Sequence, residues 1–180
     1  DNSIIYAQTF CDVPTEREAQ LRLGTSGSYK IWLNDKLISQ TEEERNNDFD
    51  TYNNKVKLKK GYNRILIQIG ASEINSSNLM LRITDKDGYP FKDIQYKSEY
   101  EKYSKDVSTE KSEEVLIFSE KYLLEQIQSN PKDFANRMLL INMYLRNEKT
   151  FEARKMIKEI EKTYPNSLYI LYLKETAFIQ

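Results

Sequence analysis

Two stretches decide the fold of this chain, GSYKIWLNDKLI at 27–38 and KGYNRILIQI at 60–69. In the first, apolar residues alternate on both sides of Asn34 and Asp35, which predicts two strands joined by a tight turn. The second predicts a buried strand entered through a Gly-Tyr-Asn corner. Together they predict an antiparallel β-sandwich, an architecture that hosts many unrelated functions.

The same alternation predicts seven short strands before residue 90, at 4–10, 19–23, 29–33, 36–40, 55–58, 62–69 and 79–84. Ile65, Ile67 and Ile69 share one face, because successive side chains of a strand point to opposite sides. The polar stretch 41–54 is expected to be a long surface loop, and 93–96 one more short strand.

After residue 110 the apolar period becomes helical and predicts four helices, at 110–129, 133–146, 150–164 and 167–179. Pro131 and Pro165 are 34 positions apart, which is the tetratricopeptide period. In that register the expected packing positions of the full repeat are Leu140, Tyr144, Ala153 and Ile157. In the preceding register Ser119 takes the small position and Leu123 the large one.

The chain is therefore predicted to be a multi-domain β + α protein with a β-sandwich at 1–95, a connector at 96–109 and tetratricopeptide-like helices at 110–180. Four tyrosines in and near the connector are expected to join the two parts by packing their rings: Tyr89, Tyr96, Tyr100 and Tyr103.

The last predicted helix lacks a following partner, and stacked repeats need neighbours to bury their faces. We therefore expect the natural chain to continue past Gln180. Tyr172 and Ile179 should then lie on an exposed apolar patch that binds the next element or a partner. The residues expected to pack on the preceding repeat are Leu168, Leu171 and Phe178.

The first part of the chain resembles galactose-binding-like jelly rolls. Such domains occur as non-catalytic, sugar-binding-type modules in bacterial glycoside hydrolases of the β-galactosidase group and in anthrax-protective-antigen-like proteins. The resemblance covers about residues 6–90 and is carried by the stretches 6–10, 29–37, 60–67 and 81–85. Asp35 stands where the family usually has glycine in the turn, which Asp tolerates because it can adopt the left-handed conformation.

A jelly roll followed by tetratricopeptide repeats resembles the first part of large secreted or periplasmic proteins of Bacteroides-type bacteria. The resemblance implies an accessory role at a periplasmic or extracellular location. It also implies that any enzymatic domain lies elsewhere in the full-length protein.

Composition excludes several classes of function. The 27 basic residues are interleaved with 28 acidic ones, so the chain has no electrostatic footprint for nucleic acid or for an anionic membrane. The absence of histidine excludes hydrolytic triads and most transition-metal sites, and the single Cys11 excludes an internal disulfide and a cysteine-based zinc site. We therefore predict no catalysis, no cofactor, no metal and no membrane insertion, although a carboxylate pair remains formally possible.

Trp32 is the only tryptophan, and it lies out of phase with Ile31 and Leu33. It is therefore expected to face outward with Lys30. An outward indole can stack on the C–H face of a pyranose, and it can equally be covered by another part of the chain.

The polar loop supplies weaker candidates, whose groups could bind sugar hydroxyls or Ca²⁺ or simply be solvated: Arg45, Asp48 and Asp50. Asp85, Asp87 and Gly88 imitate the opening of a calcium loop, but the distal glutamate is missing and a β-turn is expected.

Three hypotheses follow. The first is protein interaction or domain positioning within a larger envelope protein, carried by the concave helical face. The second is glycan recognition by the sandwich. The third, part of a glycan-processing enzyme, is disfavoured because no catalytic constellation is present.

Overall fold

The computed structural model describes residues 2–46, 48–72, 74, 76–106, 108 and 110–179. Within them the chain is mixed β and α, with two antiparallel sheets and four helices. It separates into two compact units. The β unit comprises Asp1–Arg45 and Phe49–Val115, and the helical unit comprises Asn46–Asp48 and Leu116–Gln180.

The strands of the β unit are β1 (Ser3–Val13), β2 (Arg17–Gly24), β3 (Ser28–Leu33), β4 (Lys36–Thr41), β5 (Tyr52–Leu58), β6 (Gly61–Ala71), β7 (Met80–Thr84), β8 (Gln95–Lys97) and β9 (Glu113–Glu114). They form a five-stranded sheet in the order β4-β3-β6-β1-β8 and a four-stranded sheet in the order β7-β2-β5-β9.

One hydrophobic core is shared by the two sheets. Ile65, Ile67 and Ile69 of β6 are buried with Leu21 and Leu23 of β2, which belong to the other sheet. Alternation along each strand produces this core, because every second side chain of a strand points to the same face. The seven strands predicted from alternation are present. Two antiparallel sheets and four helices are compatible with a β-sandwich followed by helices.

The two stretches that predicted the fold meet at a buried pair of asparagines. Asn34 and Asp35 form the expected tight turn, with φ of 53° and 73°. Nδ2 of Asn34 donates to Oδ1 of Asn63 at 2.8 Å, and the backbone N–H of Arg64 donates to Oδ1 of Asn34 at 2.9 Å. The turn between β3 and β4 is thereby fixed to the first residues of β6.

The short strand predicted at 93–96 is present as β8 (Gln95–Lys97), which pairs with residues 10–12 of β1. Residues 113–114 differ from expectation. Residues 113–114, predicted as helical, form β9 beside β5. The helical period was extended too far toward the N-terminus, because the sequence at 110–117 is rich in charged residues and gives no stop signal.

The helices are α1 (Phe118–Ser129), α2 (Phe134–Arg146), α3 (Thr150–Glu161) and α4 (Leu168–Ile179). Successive helices pack against each other around one core. The four expected packing positions of the middle pair are all buried: Leu140, Tyr144, Ala153 and Ile157. Asp133 caps α2 by accepting a hydrogen bond from the backbone N–H of Asn136.

The expected small position in α1 is wrong. Leu123 is buried as expected, but Ser119 is exposed and its neighbour Glu120 is buried instead. The described chain before α1 contains strand β9 rather than a helix, so no preceding helix packs on Ser119. Glu120 accepts hydrogen bonds from the Tyr144 hydroxyl at 3.1 Å and from Nζ of Lys149 at 2.9 Å.

The face that α4 buries also differs from expectation. Its buried residues are Ile170, Leu173 and Ala177, whereas the residues expected to pack are all exposed: Leu168, Leu171 and Phe178. Apolar residues surround this helix on nearly every side, so its period is compatible with more than one buried stripe.

Candidate binding faces

The outer face of the five-stranded sheet, which points away from the shared core, carries the first candidate site. Its side chains form two cross-strand rows, in which each residue lies opposite the next on the neighbouring strand. The first row is Tyr6, Gln68, Lys30 and Gln40, and the second is Gln8, Leu66, Trp32 and Leu37.

Trp32 and Lys30 lie where the sequence placed them. Ile31 and Leu33 are buried in the core, while Trp32 and Lys30 are half-buried on the opposite face of β3. Tyr6, two strands away on β1, is 61% exposed. Two strand spacings are about 10 Å, so the indole and phenol rings flank the β6 side chains between them.

Amide side chains provide polar groups next to these rings. The Tyr6 hydroxyl donates to Oε1 of Gln68 at 2.9 Å, and Nε of Arg64 donates to Oε1 of Gln8 at 2.8 Å. Because these bonds engage the amide oxygens, the amide nitrogens remain the ends that can donate to a ligand. The face therefore combines two aromatic rings with hydrogen-bond donors.

One end of this face is covered by the chain itself. Phe10 lies on it and is fully buried, because the rings of Tyr100 and Tyr103 pack against it at centroid distances of 5.6 and 6.0 Å. The Tyr103 hydroxyl also donates to Oδ1 of Asp35 at 2.8 Å, and Arg64 donates to the same oxygen at 2.9 Å.

These contacts shift the pKa of Asp35. Burial opposes ionisation of the carboxyl, but hydrogen bonds from Tyr103, Lys105 and Arg64 outweigh it and hold the pKa below its usual value. Asp35 is therefore a carboxylate that fixes the turn to the segment around Tyr103.

Two of the loop candidates lie away from Trp32. Asp50 forms ion pairs with Arg22 and Arg82, which lie opposite each other on the outer face of the four-stranded sheet. Nε of Arg45 donates to the Tyr52 hydroxyl at 3.3 Å. The structure does not bring these two side chains together with the indole.

Asp48 belongs to the helical unit. Its carboxylate accepts a hydrogen bond from Arg146 at 2.6 Å and another from the Asn147 side chain at 3.0 Å. The backbone N–H of Asp48 donates to Oδ1 of Asn147 at 2.6 Å. Asp48 is thus tied to the C-terminal end of α2.

The expected turn at residues 85–89 is confirmed. Oδ1 of Asp85 accepts hydrogen bonds from the backbone N–H groups of Asp87 and Tyr89, both at 2.9 Å. Gly88 has φ of 91°, which favours glycine. Across the described part of the chain, no group of three or more His, Cys, Asp or Glu side chains is arranged to hold a metal ion.

The second candidate site is the exposed side of α4. Tyr172 is 60% and Ile179 is 87% exposed, and Leu168 lies on the same side at helical spacing. Tyr169 stacks on Tyr172 with ring centroids 6.3 Å apart, and its hydroxyl accepts a hydrogen bond from Nδ2 of Asn142 in α2 at 3.1 Å. This face offers apolar and aromatic surface with few charges.

Sequence reasoning missed Tyr6, Gln8 and Gln68. Their signal was present, because Tyr6 and Gln8 alternate with Ala7, and Gln68 lies between Ile67 and Ile69. What the sequence did not indicate is that β1 and β6 are neighbours, which places these side chains beside Lys30 and Trp32.

Comparison with protein-family models, with curated proteins and with solved structures finds no match for this chain. Among the helices in the described residues, none is both long and apolar enough to cross a bilayer.

Proposed function

We propose that this chain is a non-catalytic accessory module of a larger bacterial envelope protein, and that its helical unit mediates protein interaction. The proposal includes a jelly roll of the galactose-binding type in the β unit and tetratricopeptide packing in the helical unit. The periplasmic or extracellular location rests on the resemblance alone.

The observation that carries this proposal is the exposed apolar side of α4. Soluble proteins rarely leave several large apolar side chains exposed on one helix unless that surface binds something. Leu168, Tyr172 and Ile179 are each at least 60% exposed. Their side chains recur at helical spacing, so they form one stripe that a partner can cover.

A helix is the partner that fits the helical unit best. Besides the stripe, the unit has a groove of about 270 Å³ between α3 and α4, which includes Ile157 and Phe178 in its lining but no residue of the stripe. Arg154 borders it, with its guanidinium 5.0 Å from the Phe178 ring centroid. An amphipathic helix would place apolar side chains in such a groove and charged ones at its rim.

The test is self-association of the 180-residue chain, because an exposed adhesive stripe also binds copies of itself. Light scattering over a wide concentration range should show an increasing mean mass. Tyr172→Lys with Ile179→Lys should lower that increase and leave the circular dichroism unchanged. The matched control is Phe118→Lys with Phe151→Lys, which changes two equally apolar residues, both 77% exposed, on other helices.

A strict monomer at high concentration, or equal effects of the two double variants, would remove the basis for assigning the interaction to α4. A second experiment tests the helix as the preferred partner. Synthetic amphipathic helices are titrated against wild type and against the Tyr172→Lys, Ile179→Lys variant, and they should bind wild type more tightly.

A second candidate function, glycan recognition, is favoured by one specific observation. Tyr6 and Trp32 lie on the same outer face of the five-stranded sheet, with Gln8, Gln68 and Lys30 around them. Aromatic faces match the C–H faces of sugars, and amides and ammonium groups donate to hydroxyls.

The single tryptophan makes this candidate directly testable, since all indole fluorescence comes from Trp32. Titration with soluble oligosaccharides chosen from a glycan array should shift that fluorescence. Tyr6→Ala should weaken binding about tenfold, which corresponds to about 1.4 kcal/mol. Tyr89→Ala, which removes a 71% exposed tyrosine from a turn, is the control. Failure of every array glycan to shift the fluorescence would exclude this candidate.

A further inference from the structure

The β unit is open along one side, between the edges of its two sheets. There a cleft of about 590 Å³ runs between β1 and β7, and we call it the edge cleft. Its floor and walls are mostly apolar, with Ala7 of β1, Ile67 of β6 and Leu81 of β7 among the lining residues.

Small residues on β1 leave this space open. Ala7 and Thr9 point toward the core face and line the cleft, whereas the corresponding positions on β6 carry isoleucines. Ile5, which shares the face of Ala7, is 59% exposed although its cross-strand neighbour Ile69 is buried. An element that covered this end of β1 would bury Ile5, just as Cys11 and Val13 on the same face are buried in the core.

The backbone edge of β1 beside the cleft is also unpaired. β6 lies along one side of β1 throughout, and β8 lies along the other side only at Phe10, Cys11 and Asp12. Within the described residues, no strand pairs with the outer edge of β1 from Ser3 to Gln8. Every second residue of that segment therefore directs its N–H and C=O away from the sheet.

This edge lacks the features that normally prevent strand pairing. Edge strands are usually protected by charged side chains, proline or bulges. The sequence from Ser3 to Thr9 is SIIYAQT, with no charge, no proline and no glycine. Three consecutive large apolar side chains in it are about 60% exposed: Ile4, Ile5 and Tyr6.

We propose that the edge cleft binds an extended peptide segment, which adds a strand to β1 and inserts every second side chain between the two sheets. The occupant continues an interface that already exists, because β8 pairs antiparallel with the same edge of β1 directly beyond Thr9. The new strand would continue that ladder in line over Ser3 to Gln8. An acyl chain would fill the apolar space but leave the backbone groups of β1 unpaired, so a peptide fits the site better.

The cleft also determines the chemistry of the peptide. The inserted side chains must be uncharged and apolar, because Ile65, Ile67 and Ile83 line the site. Their alternation with outward side chains follows from strand geometry. The peptide residues beside β1 must be uncharged as well, because the segment from Ser3 to Thr9 has no charged side chain that could pair with a charge on the peptide.

The experiment uses the 180-residue chain and a blocked peptide of alternating valine and threonine with a lysine at each end. Binding is measured by calorimetry or by fluorescence anisotropy of a labelled peptide. Two further peptides carry backbone N-methyl groups, one on the valines and one on the threonines. In an antiparallel strand the N–H groups of alternate residues point to opposite edges, so only one of these sets faces β1.

The expected result is that one methylated peptide binds like the parent and the other binds at least about tenfold more weakly, since it loses several backbone hydrogen bonds to β1. Ala7→Phe should abolish binding by filling the cleft. Lys57→Ala, at an exposed position on the outer face of the other sheet, should leave it unchanged. Circular dichroism verifies that both variants fold.

Loss of binding with both methylated peptides, or with neither, would overturn the proposal. So would saturable binding of dodecanoate in the absence of peptide binding, which would make the cleft an acyl-chain site. Self-association that Ala7→Phe abolishes would also overturn it, by identifying a second copy of the chain as the occupant.

Discussion

At the scale of single residues, Asn63 links the two stretches from which the fold was predicted. It is fully buried, and its side chain holds the corner that leads into β6. Oδ1 accepts from Nδ2 of Asn34 and from the backbone N–H of Lys59, while Nδ2 donates to the carbonyls of Lys59 and Gly61.

We predict that Asn63→Ala lowers the free energy of unfolding by about 2–4 kcal/mol, because it leaves the buried donors on Asn34 and Lys59 without acceptors. Urea unfolding followed by Trp32 fluorescence measures the change. Lys60→Ala, at an exposed position of the same corner, is the control. A loss no larger than that of the control would contradict the role given to this side chain.

Asp35 predicts a pH dependence. Its pKa is lower in the folded protein than in the unfolded chain, because the hydrogen bonds from Tyr103, Lys105 and Arg64 outweigh the effect of burial. The unfolded chain therefore binds more protons in this range, and the stabilisation by Asp35 is full above its unfolded pKa. It is lost as the pH falls through the folded pKa.

We predict that Asp35→Asn is less stable than wild type at neutral pH and that the difference shrinks as the pH falls below the usual range of an aspartate. Urea unfolding at a series of pH values measures it. Glu99→Gln, at an exposed position, provides the comparison. A difference between wild type and Asp35→Asn that stays constant with pH would contradict the prediction.

At the scale of elements, the segment after β8 covers part of the five-stranded sheet. Tyr100 and Tyr103 bury Phe10 of β1, although Tyr100 itself is 74% exposed. Their recorded ring contacts lie within the β unit. That the connector tyrosines also join the two parts of the chain stays a prediction.

We predict that Tyr103→Ala lowers the free energy of unfolding by about 1–3 kcal/mol, because it uncovers Phe10 and removes a hydrogen bond to Asp35. Tyr100→Ala should cost less, since most of that ring is already in water. Thermal unfolding of both variants gives the comparison. Equal costs would show that the two rings contribute alike to covering β1.

The ends of strands and helices were predicted best where a turn or capping residue marks them. Strands β3 and β4 match prediction because the Asn34-Asp35 turn fixes their ends. The start of α1 was predicted too early, since no capping residue marks it and Ile117 at the N-cap makes no side-chain capping bond.

At the scale of the whole molecule, the β unit and the helical unit each have a hydrophobic core of their own. Neither unit can use histidine, and Cys11 is fully buried with its pKa raised by burial to about 11. A neutral, inaccessible thiol is a poor nucleophile.

We therefore predict that the chain hydrolyses neither aryl glycosides nor peptides, since its sequence has no histidine to act as a base and its single cysteine is a buried thiol. A panel of chromogenic substrates measures this. Turnover that survives repurification and disappears when one carboxylate is replaced by its amide would show that a carboxylate pair does act.

The sequence by itself determined which side chains point inward on each strand and, apart from the start of α1, where the helices of the second half lie. Periods of two and of 3.6 residues are local properties, so they can be read without knowing what lies beside them. The outward direction of Trp32 was determined in the same way.

Only the tertiary structure decided which outward side chains share a surface. Strand order places Tyr6 and Gln68 beside Lys30. Packing against α3 selects the buried stripe of α4. The space between the edges of the two sheets forms the edge cleft. These outcomes depend on contacts between residues far apart in the chain, which no local pattern encodes.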